Sequence, residues 1–141
     1  MCRGRAHHRR IGMARILVVD DEEMDRTLGR SILEDAGHQL LFASDGSAAL
    51  RIYRSQEVDL VITDLAMPNL NGLLLIEQIV AHDGRALIIA VTGVSPEQLE
   101  RAETLGAALT MRKPYTPGAL LRAVNSLLDD RVARPPDDLW K

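Results

Sequence analysis

Residues 60–64 read Leu-Val-Ile-Thr-Asp, a short stretch rich in β-branched side chains that ends on a carboxylate. The run Leu60–Thr63 is one of five along the chain; the others are Ile16–Val19, Gln39–Ala43, Ala86–Val91 and Ala108–Met111. Leu60–Thr63 and Ala86–Val91 do not alternate between polar and apolar residues, which is typical of strands buried on both faces of a parallel sheet. We therefore predict five strands in one parallel sheet.

Amphipathic segments follow these runs and predict a helix after each strand. The first has Met24, Leu28, Ile32 and Ala36 at a spacing of four and stops at Gly37; the others are 47–54, 73–81, one starting at Ser95-Pro96 and one starting at Thr116-Pro117. Ser or Thr followed by Pro is a typical helix start, and we expect the last helix to end at Asp129-Asp130. Five βα units in succession predict a doubly wound α/β domain over residues 14–129, because each parallel crossover needs a helix.

Composition limits the class of protein further. A chain of 141 residues is long enough for one domain, and with only 3% aromatic residues its core must be aliphatic. The single cysteine, Cys2, excludes an intramolecular disulfide. The longest apolar run, Ala86–Val91, is far shorter than the roughly 17–25 residues that span a membrane. These features predict a cytoplasmic protein without a membrane segment.

Charge is unevenly distributed along the sequence. Residues 1–12 carry four arginines and no acid, whereas the rest carries 13 basic and 20 acidic residues, a net charge of −7. An acidic body lacks the basic face that nucleic acid binding requires, so we expect no direct nucleic acid partner. We interpret residues 1–13 as a basic, disordered leader and residues 130–141 as a C-terminal tail.

Chemically reactive residues stand where the predicted strands end. Asp20 and Asp21 follow the first strand, Asp64 the third, Thr92 the fourth and Lys113 the fifth. Ligands of an open parallel sheet bind at this edge, so these residues should meet in one cleft. Clustered carboxylates suit Mg²⁺, and a lysine opposite them would neutralise phosphoryl charge. The set predicts phosphoryl transfer with a carboxylate nucleophile, since no Ser, Cys or His is placed for that role.

Each of these residues also has an ordinary structural interpretation. Asp20 and Asp21 could cap a helix or complement its dipole, and Asp64 could begin a turn. Threonine, the residue at position 92, is common at the end of a strand. A lone lysine such as Lys113 is most often a solvated surface charge. Their coincidence at one edge of four strands favours the functional interpretation.

The motifs at these strand ends resemble those of the receiver domain of two-component response regulators. The resemblance is carried by Val-Val-Asp20-Asp21-Glu22, by Val-Ile-Thr-Asp-Leu-Ala-Met-Pro-Asn-Leu-Asn-Gly over 61–72, by Val91-Thr92-Gly93, by Gly106-Ala107 and by Lys113-Pro114-Tyr115. The five motifs stand in order and cover nearly all of residues 14–129. The resemblance implies a flavodoxin-like receiver fold with strand order 2-1-3-4-5.

It also implies roles for the site residues. Asp64 would accept a phosphoryl group from a sensor histidine kinase or a histidine phosphotransfer protein, Lys113 would pair with a phosphoryl oxygen, and the Thr92 hydroxyl would bond to the attached group. The ligands of Mg²⁺ would be Asp21, Asp64 and the backbone carbonyl of Ala66, with Asp20 assisting. Such a domain catalyses only its own phosphotransfer and dephosphorylation. Its signal would pass to a downstream output protein, and a homodimer is left open.

One position departs from the family pattern. Three residues before the lysine the family usually has Tyr or Phe, a ring that moves inward with the Thr or Ser at the end of the fourth strand. This chain has Thr110 there. The phosphorylation chemistry should be unaffected, but the aromatic relay from Thr92 to the output face should be missing.

Several alternatives stay open on the sequence. A stand-alone regulator is our first interpretation, and a receiver domain cut from a longer regulator with an output domain is the main alternative. A receiver-like scaffold that is not phosphorylated is a second. A flavin-binding protein of the same fold would need a phosphate-cradling loop after the first strand, where this chain has four acids over 20–23. An aspartate-nucleophile phosphohydrolase would carry its nucleophile on the first strand.

Overall fold

The computed structural model describes residues 13–67, 71–93 and 96–133, which fold into five βα units. The leader up to residue 12, the proposed cap Ser95 and the tail from residue 134 lie outside these residues. The elements are β1 Arg15–Val19, α1 Glu23–Asp35, β2 Gln39–Ala43, α2 Gly46–Ser55, β3 Leu60–Asp64, α3 Gly72–His82, β4 Ile88–Thr92, α4 Pro96–Leu105, β5 Leu109–Arg112 and α5 Pro117–Ala133.

The strands form one parallel sheet in the order β2-β1-β3-β4-β5, which confirms the predicted doubly wound topology. Every residue of β3 and β4 is buried, as the absence of alternation in their sequences indicates. Side chains alternate between the two faces of the sheet. Leu17 and Val61 face α2, α3 and α4, whereas Ile16 and Ile62 face α1 and α5.

Short polar side chains begin three of the helices. The carboxylate of Asp45 accepts a hydrogen bond from the Ala48 amide, and the side chain of Asn71 accepts one from the Leu74 amide. The hydroxyl of Thr116 accepts one from the Ala119 amide at 3.0 Å, which confirms the predicted start of α5. These bonds satisfy amides that have no partner within the helix.

The apolar repeat of α1 is only partly buried, although its spacing predicts one continuous face packed against the sheet. Ile32 is buried, but Met24 is 84% exposed and Leu28 is 48% exposed. The reason is that α1 packs on the sheet mainly through its second half, where Ile32 and Leu33 enter the core. The first half of α1 therefore presents apolar side chains to solvent beside the end of β1.

Two predicted boundaries were wrong by two residues or more. β4 begins at Ile88 instead of Ala86, because the Ala86 amide donates to the carbonyl of Asp83 in a turn. The last helix does not stop at Asp129 but continues to Ala133, because two acids near a helix C-terminus weaken the helix only slightly. Among the described residues, no helix has both the length and the apolarity that crossing a bilayer requires.

Candidate functional site

The acidic residues of the site lie together because β1 and β3 are neighbours. Val19 pairs with Thr63 in the register of the two strands, so Asp20 and Asp64, one residue further on, lie side by side. Both are buried, at 7% and 8% exposure, whereas Asp21 is exposed. Carboxylate oxygens of the three residues lie within 4.8 Å of one another. The structure thus brings together the three aspartates that the sequence analysis selected.

Backbone amides orient the two buried carboxylates. Oδ1 of Asp20 accepts a hydrogen bond from the Glu22 amide at 3.0 Å, and Oδ1 of Asp64 accepts one from the Ala66 amide at 3.1 Å. Arg26, in the first half of α1, donates to the backbone carbonyl of Asp20 at 2.6 Å. Each carboxylate is therefore fixed through one oxygen, and its second oxygen points to the lysine.

Lys113 reaches three carboxylates at once. Its Nζ lies 2.8 Å from Oδ2 of Asp20, 2.7 Å from Oδ2 of Asp25 and 3.2 Å from Oδ2 of Asp64. The backbone of the lysine is held as well, because its amide donates to the carbonyl of Thr92. The peptide bond between Lys113 and Pro114 is cis. An ammonium group has three N–H donors, so these three carboxylates use all of them.

Burial and charge act on these groups in opposite directions. Burial alone would lower the pKa of Lys113, but the hydrogen bonds to Asp20 and Asp25 and the charge of Asp64 outweigh it and raise the pKa above its ordinary value. Burial raises the pKa of Asp20, against the hydrogen bonds from Lys113 and the Glu22 amide. With Lys113 charged, the four aspartates leave an excess of negative charge that a hard divalent cation would neutralise.

Thr92 and Thr110 lie on the strands that complete this edge. Thr92 is the last residue of β4 and is 2% exposed, next to β3, whose Asp64 pairs with Val91. Thr110 is half-buried in β5 and pairs with Ala90. The Lys113 amide joins the two strand ends through Thr92, so the predicted Thr and Lys are parts of one edge.

Sequence reasoning missed Asp25. Its side chain is 36% exposed in the first turn of α1, yet it makes the shortest of the three contacts to Lys113. A signal was present, since Asp25 follows Asp20 and Asp21 within five residues and lies in the first turn of the helix that begins just after the end of β1. Acids in a first turn are also expected from the helix dipole alone, which hid the contact.

A small cavity lies against this contact on the outer side of the site. It has a volume of about 310 Å³ and is lined by Asp25, Leu28, Lys113, Pro114 and Tyr115. Burial raises the pKa of the Tyr115 phenol, against the opposing charge of Lys113. The mouth of the site therefore has an apolar border formed by α1 and the turn after β5.

A doubly wound sheet with an acidic cluster and a lysine at its C-terminal edge defines a class of phosphoryl-handling α/β domains, and comparison with known proteins identifies the family. Residues 16–125 match the model of the response regulator receiver domain. The chain belongs to this family.

Individual relatives agree with this assignment. The chain is 32% identical over 114 residues to the chemotaxis protein CheY of Halobacterium salinarum, a match that covers 80% of this chain and 95% of that protein. It is 39% identical over 114 residues to the sensor kinase/phosphatase CqsS of Vibrio cholerae, covering 78% of this chain and 17% of CqsS. It also spans only 17% of the sensory/regulatory protein RpfC of Xanthomonas campestris, at 30% identity over 86% of this chain.

Solved structures carry the same fold. The response regulator TrrA of Thermotoga maritima, determined in complex with Mg²⁺ and BeF, is 33% identical and superimposes with a TM-score of 0.76 over 82% of this chain and 99% of that one. The relatives thus include proteins of receiver size and longer sensory proteins in which the receiver is one part.

Proposed function

We propose that this chain is the phosphoacceptor receiver of a two-component or phosphorelay system, with Asp64 as the acceptor. The observation that carries the proposal is the position of the Asp64 carboxylate at the end of a central strand. One side of it faces two further aspartates, and Oδ2 faces the ammonium of Lys113 at 3.2 Å. A nucleophile between a cation site and a lysine is what transfer of a dianionic phosphoryl group requires.

The donor set fits Mg²⁺, because carboxylate and carbonyl oxygens are the ligands this cation prefers and it keeps several waters. We assign Asp20, Asp21, Asp64 and the backbone carbonyl of Ala66 to it. When bound, the ion would neutralise charge on the phosphoryl oxygens. The Mg²⁺ in the TrrA structure supports this assignment by analogy.

The proposed reaction moves a phosphoryl group from a histidine nitrogen to an aspartate oxygen. Asp64 attacks the phosphorus atom, an oxygen–phosphorus bond forms, and the phosphorus–nitrogen bond of the phosphohistidine breaks. The imidazole leaves with the electron pair of that bond and takes a proton from solvent. Lys113 pairs with a phosphoryl oxygen of the product, and the Thr92 hydroxyl donates a hydrogen bond to another.

The donor must approach the mouth of this site, and α1 offers it an apolar surface there. Met24 and Leu28 are exposed on the first half of α1, one on either side of Asp25 in the sequence. We propose that a sensor histidine kinase or a phosphotransfer protein docks on this surface. Because such kinases draw phosphate from ATP, the proposal places the domain in the cytoplasm, and its output is a protein surface instead of an enzymatic product.

Labelling by a small phosphodonor tests the function directly. The protein is incubated with acetyl phosphate and Mg²⁺, and phosphate incorporation is followed by intact mass beside Asp64→Asn. The proposal expects an added phosphoryl mass on the wild type, loss of the addition after chelation of Mg²⁺, and none on the variant. A wild type that takes no phosphate would instead support a receiver-like scaffold, and equal labelling of the variant would remove Asp64 from its role.

A further inference from the structure

Asp25 differs from the other two carboxylates that hold Lys113. Asp20 and Asp64 are buried at strand ends and belong to the proposed metal and phosphoryl chemistry, whereas Asp25 is on α1. Its Oδ2 is nonetheless the nearest carboxylate oxygen to Nζ, at 2.7 Å against 2.8 and 3.2 Å. This contact joins the first turn of α1 to the turn after β5, across 88 residues of sequence.

We infer that Asp25 is a positioning residue that keeps hold of Lys113 while the other two donors of the ammonium change partners. The inference rests on the proposed function. A phosphoryl group on Asp64 brings new acceptor oxygens to the site, and all three N–H groups of Lys113 are already in use. One carboxylate oxygen of Asp64 would be taken up by the bond to phosphorus, and Asp20 would be one of the residues that hold the cation. Asp25 has no other part in the reaction and retains its bond.

The physical reason is the flexibility of the lysine side chain. An ammonium on a four-carbon stem has little intrinsic orientation, so its position depends on what it is bonded to. Asp25 is well placed for this task, because Arg26, the next residue, ties α1 to the backbone carbonyl of Asp20 at 2.6 Å. Asp25 and the end of β1, the strand that pairs with the acceptor strand β3, are thus held together. Without Asp25 the ammonium would lose a fixed partner just when its other two bonds change.

The test compares Asp25→Asn with Asp25→Glu and with Glu23→Gln, an exposed acid in the same turn of α1. Rates of phosphate uptake from acetyl phosphate are measured at saturating Mg²⁺, so that a change in cation affinity does not enter. We expect Asp25→Asn to be slower by about tenfold, the effect of one charge-assisted hydrogen bond. Asp25→Glu should recover most of the rate, and Glu23→Gln should stay within about twofold of the wild type, since an exposed charge acts weakly.

A second measurement reports on Lys113 itself. The ¹H–¹⁵N signal of its ammonium is recorded in the BeF-activated protein, where fixed N–H donors exchange slowly with water. We expect the signal in the wild type and in Asp25→Glu, and its loss in Asp25→Asn. Thermal melting of each variant checks that the changes in uptake rate and in the ammonium signal do not arise from loss of folding.

The outcomes separate this inference from the proposed function. If the wild type takes no phosphate, the function itself fails. If the wild type is labelled but Asp25→Asn takes phosphate as fast or faster and keeps its ammonium signal, Asp64 stands and the anchoring role is wrong. A slow Asp25→Asn that Asp25→Glu does not recover would also overturn it, because a carboxylate in that place would then be irrelevant.

Discussion

The Nζ atom of Lys113 lies 3.2 Å from Oδ2 of Asp64, although 49 residues separate them in the chain. The two residues are at the ends of β5 and β3, with β4 between these strands in the sheet. The Lys113 side chain spans the width of β4 and therefore connects the central strand β3 to the outer strand β5. A change in the charge of Asp64 therefore acts directly on the ammonium group of Lys113, in the turn that follows β5.

Binding of Mg²⁺ should stabilise the folded state by mass action, with the logarithm of the free Mg²⁺ concentration once this exceeds the Kd. Asp20, Asp21 and Asp64 place carboxylate oxygens within 4.8 Å of one another, and a cation between them relieves their repulsion. A ligand at ten times its Kd adds about 1.4 kcal/mol to the free energy of unfolding. We expect the melting temperature to rise on titration with Mg²⁺.

Asp21 offers the cleanest variant for this measurement, because it is exposed and its loss should not disturb the core. Asp21→Asn should fold normally and lose most of the Mg²⁺-induced rise, whereas Glu22→Gln, its exposed neighbour, should keep it. A Mg²⁺ response of unchanged size in Asp21→Asn would remove that residue from the cation site.

Gly72 should prove indispensable at the start of α3. A Cβ atom there would overlap the backbone carbonyl of Asp64 and the Cα atom of Leu65, both of which are backbone and cannot move aside cheaply. Gly72→Ala should therefore push α3 away from the end of β3 and cost both stability, by about 1–3 kcal/mol, and phosphate uptake. Denaturant unfolding and acetyl phosphate labelling measure the two effects.

Gly84 provides the matched control, because a Cβ atom at that position would meet nothing within 4 Å. Gly84→Ala should leave uptake unchanged and alter stability by only a few tenths of a kcal/mol. Equal losses in the two variants would mean that the contact between α3 and Asp64 has no special importance.

The parts that the sequence predicted well are those fixed by local pattern. Buried strands such as Leu60–Asp64 show no alternation of polar and apolar residues. Parallel topology then brings Asp20, Asp64 and Lys113 to one edge whatever the details of packing. Asp25 could not be assigned in the same way. Its contact with Lys113 depends on how α1 is rotated over the sheet, and that rotation is set by Ile32 and Leu33 in the second half of the helix.

The same rotation explains the exposed first half of α1. A spacing of four predicts that Met24 and Leu28 share a face with Ile32, but it does not say how far the sheet extends beneath that face. In the structure the apolar spacing continues through the first half of α1, whereas its buried residues are Gly29, Ile32 and Leu33.

Protonation of His38 should destabilise the protein below neutral pH. The ring is 5% exposed, its Nδ1 accepts a hydrogen bond from the Ala14 amide at 3.1 Å, and Nε2 has no partner among the described residues. Burial lowers the pKa of His38 below the ordinary 6.5, so the unfolded chain binds the proton more readily than the folded one. Stability is then fully present above about pH 6.5 and declines as the pH falls below it, by at most about 1.4 kcal/mol per pH unit.

Thermal melts at about pH 7.5 and about pH 5.5 measure this effect. The loss between the two values should be smaller in His38→Gln than in the wild type, whatever the variant does to stability at pH 7.5. His82→Gln is the control, because His82 is exposed, with its ring in a T-shaped contact with that of Tyr53. A wild-type loss that persists in His38→Gln would assign the pH dependence to other groups.

Position 110 offers a test of how a phosphorylation signal would leave the proposed site. Thr110 is half-buried in β5, beside β4 and three residues before Lys113, where the family usually has an aromatic ring. A threonine side chain is too short to follow an inward movement of Thr92 as a ring would. Thr110→Tyr should therefore change the phosphorylation dependence of partner binding or of self-association. Phosphate uptake, which depends on Asp64 and Lys113, should stay within about twofold of the wild type.

Acetyl phosphate labelling measures uptake in the Thr110 variants, and sedimentation with and without BeF and Mg²⁺ measures their association. Thr110→Ser, which adds no ring, is the control. If Thr110→Tyr altered uptake and association equally, or neither, position 110 would have no separate role in the relay.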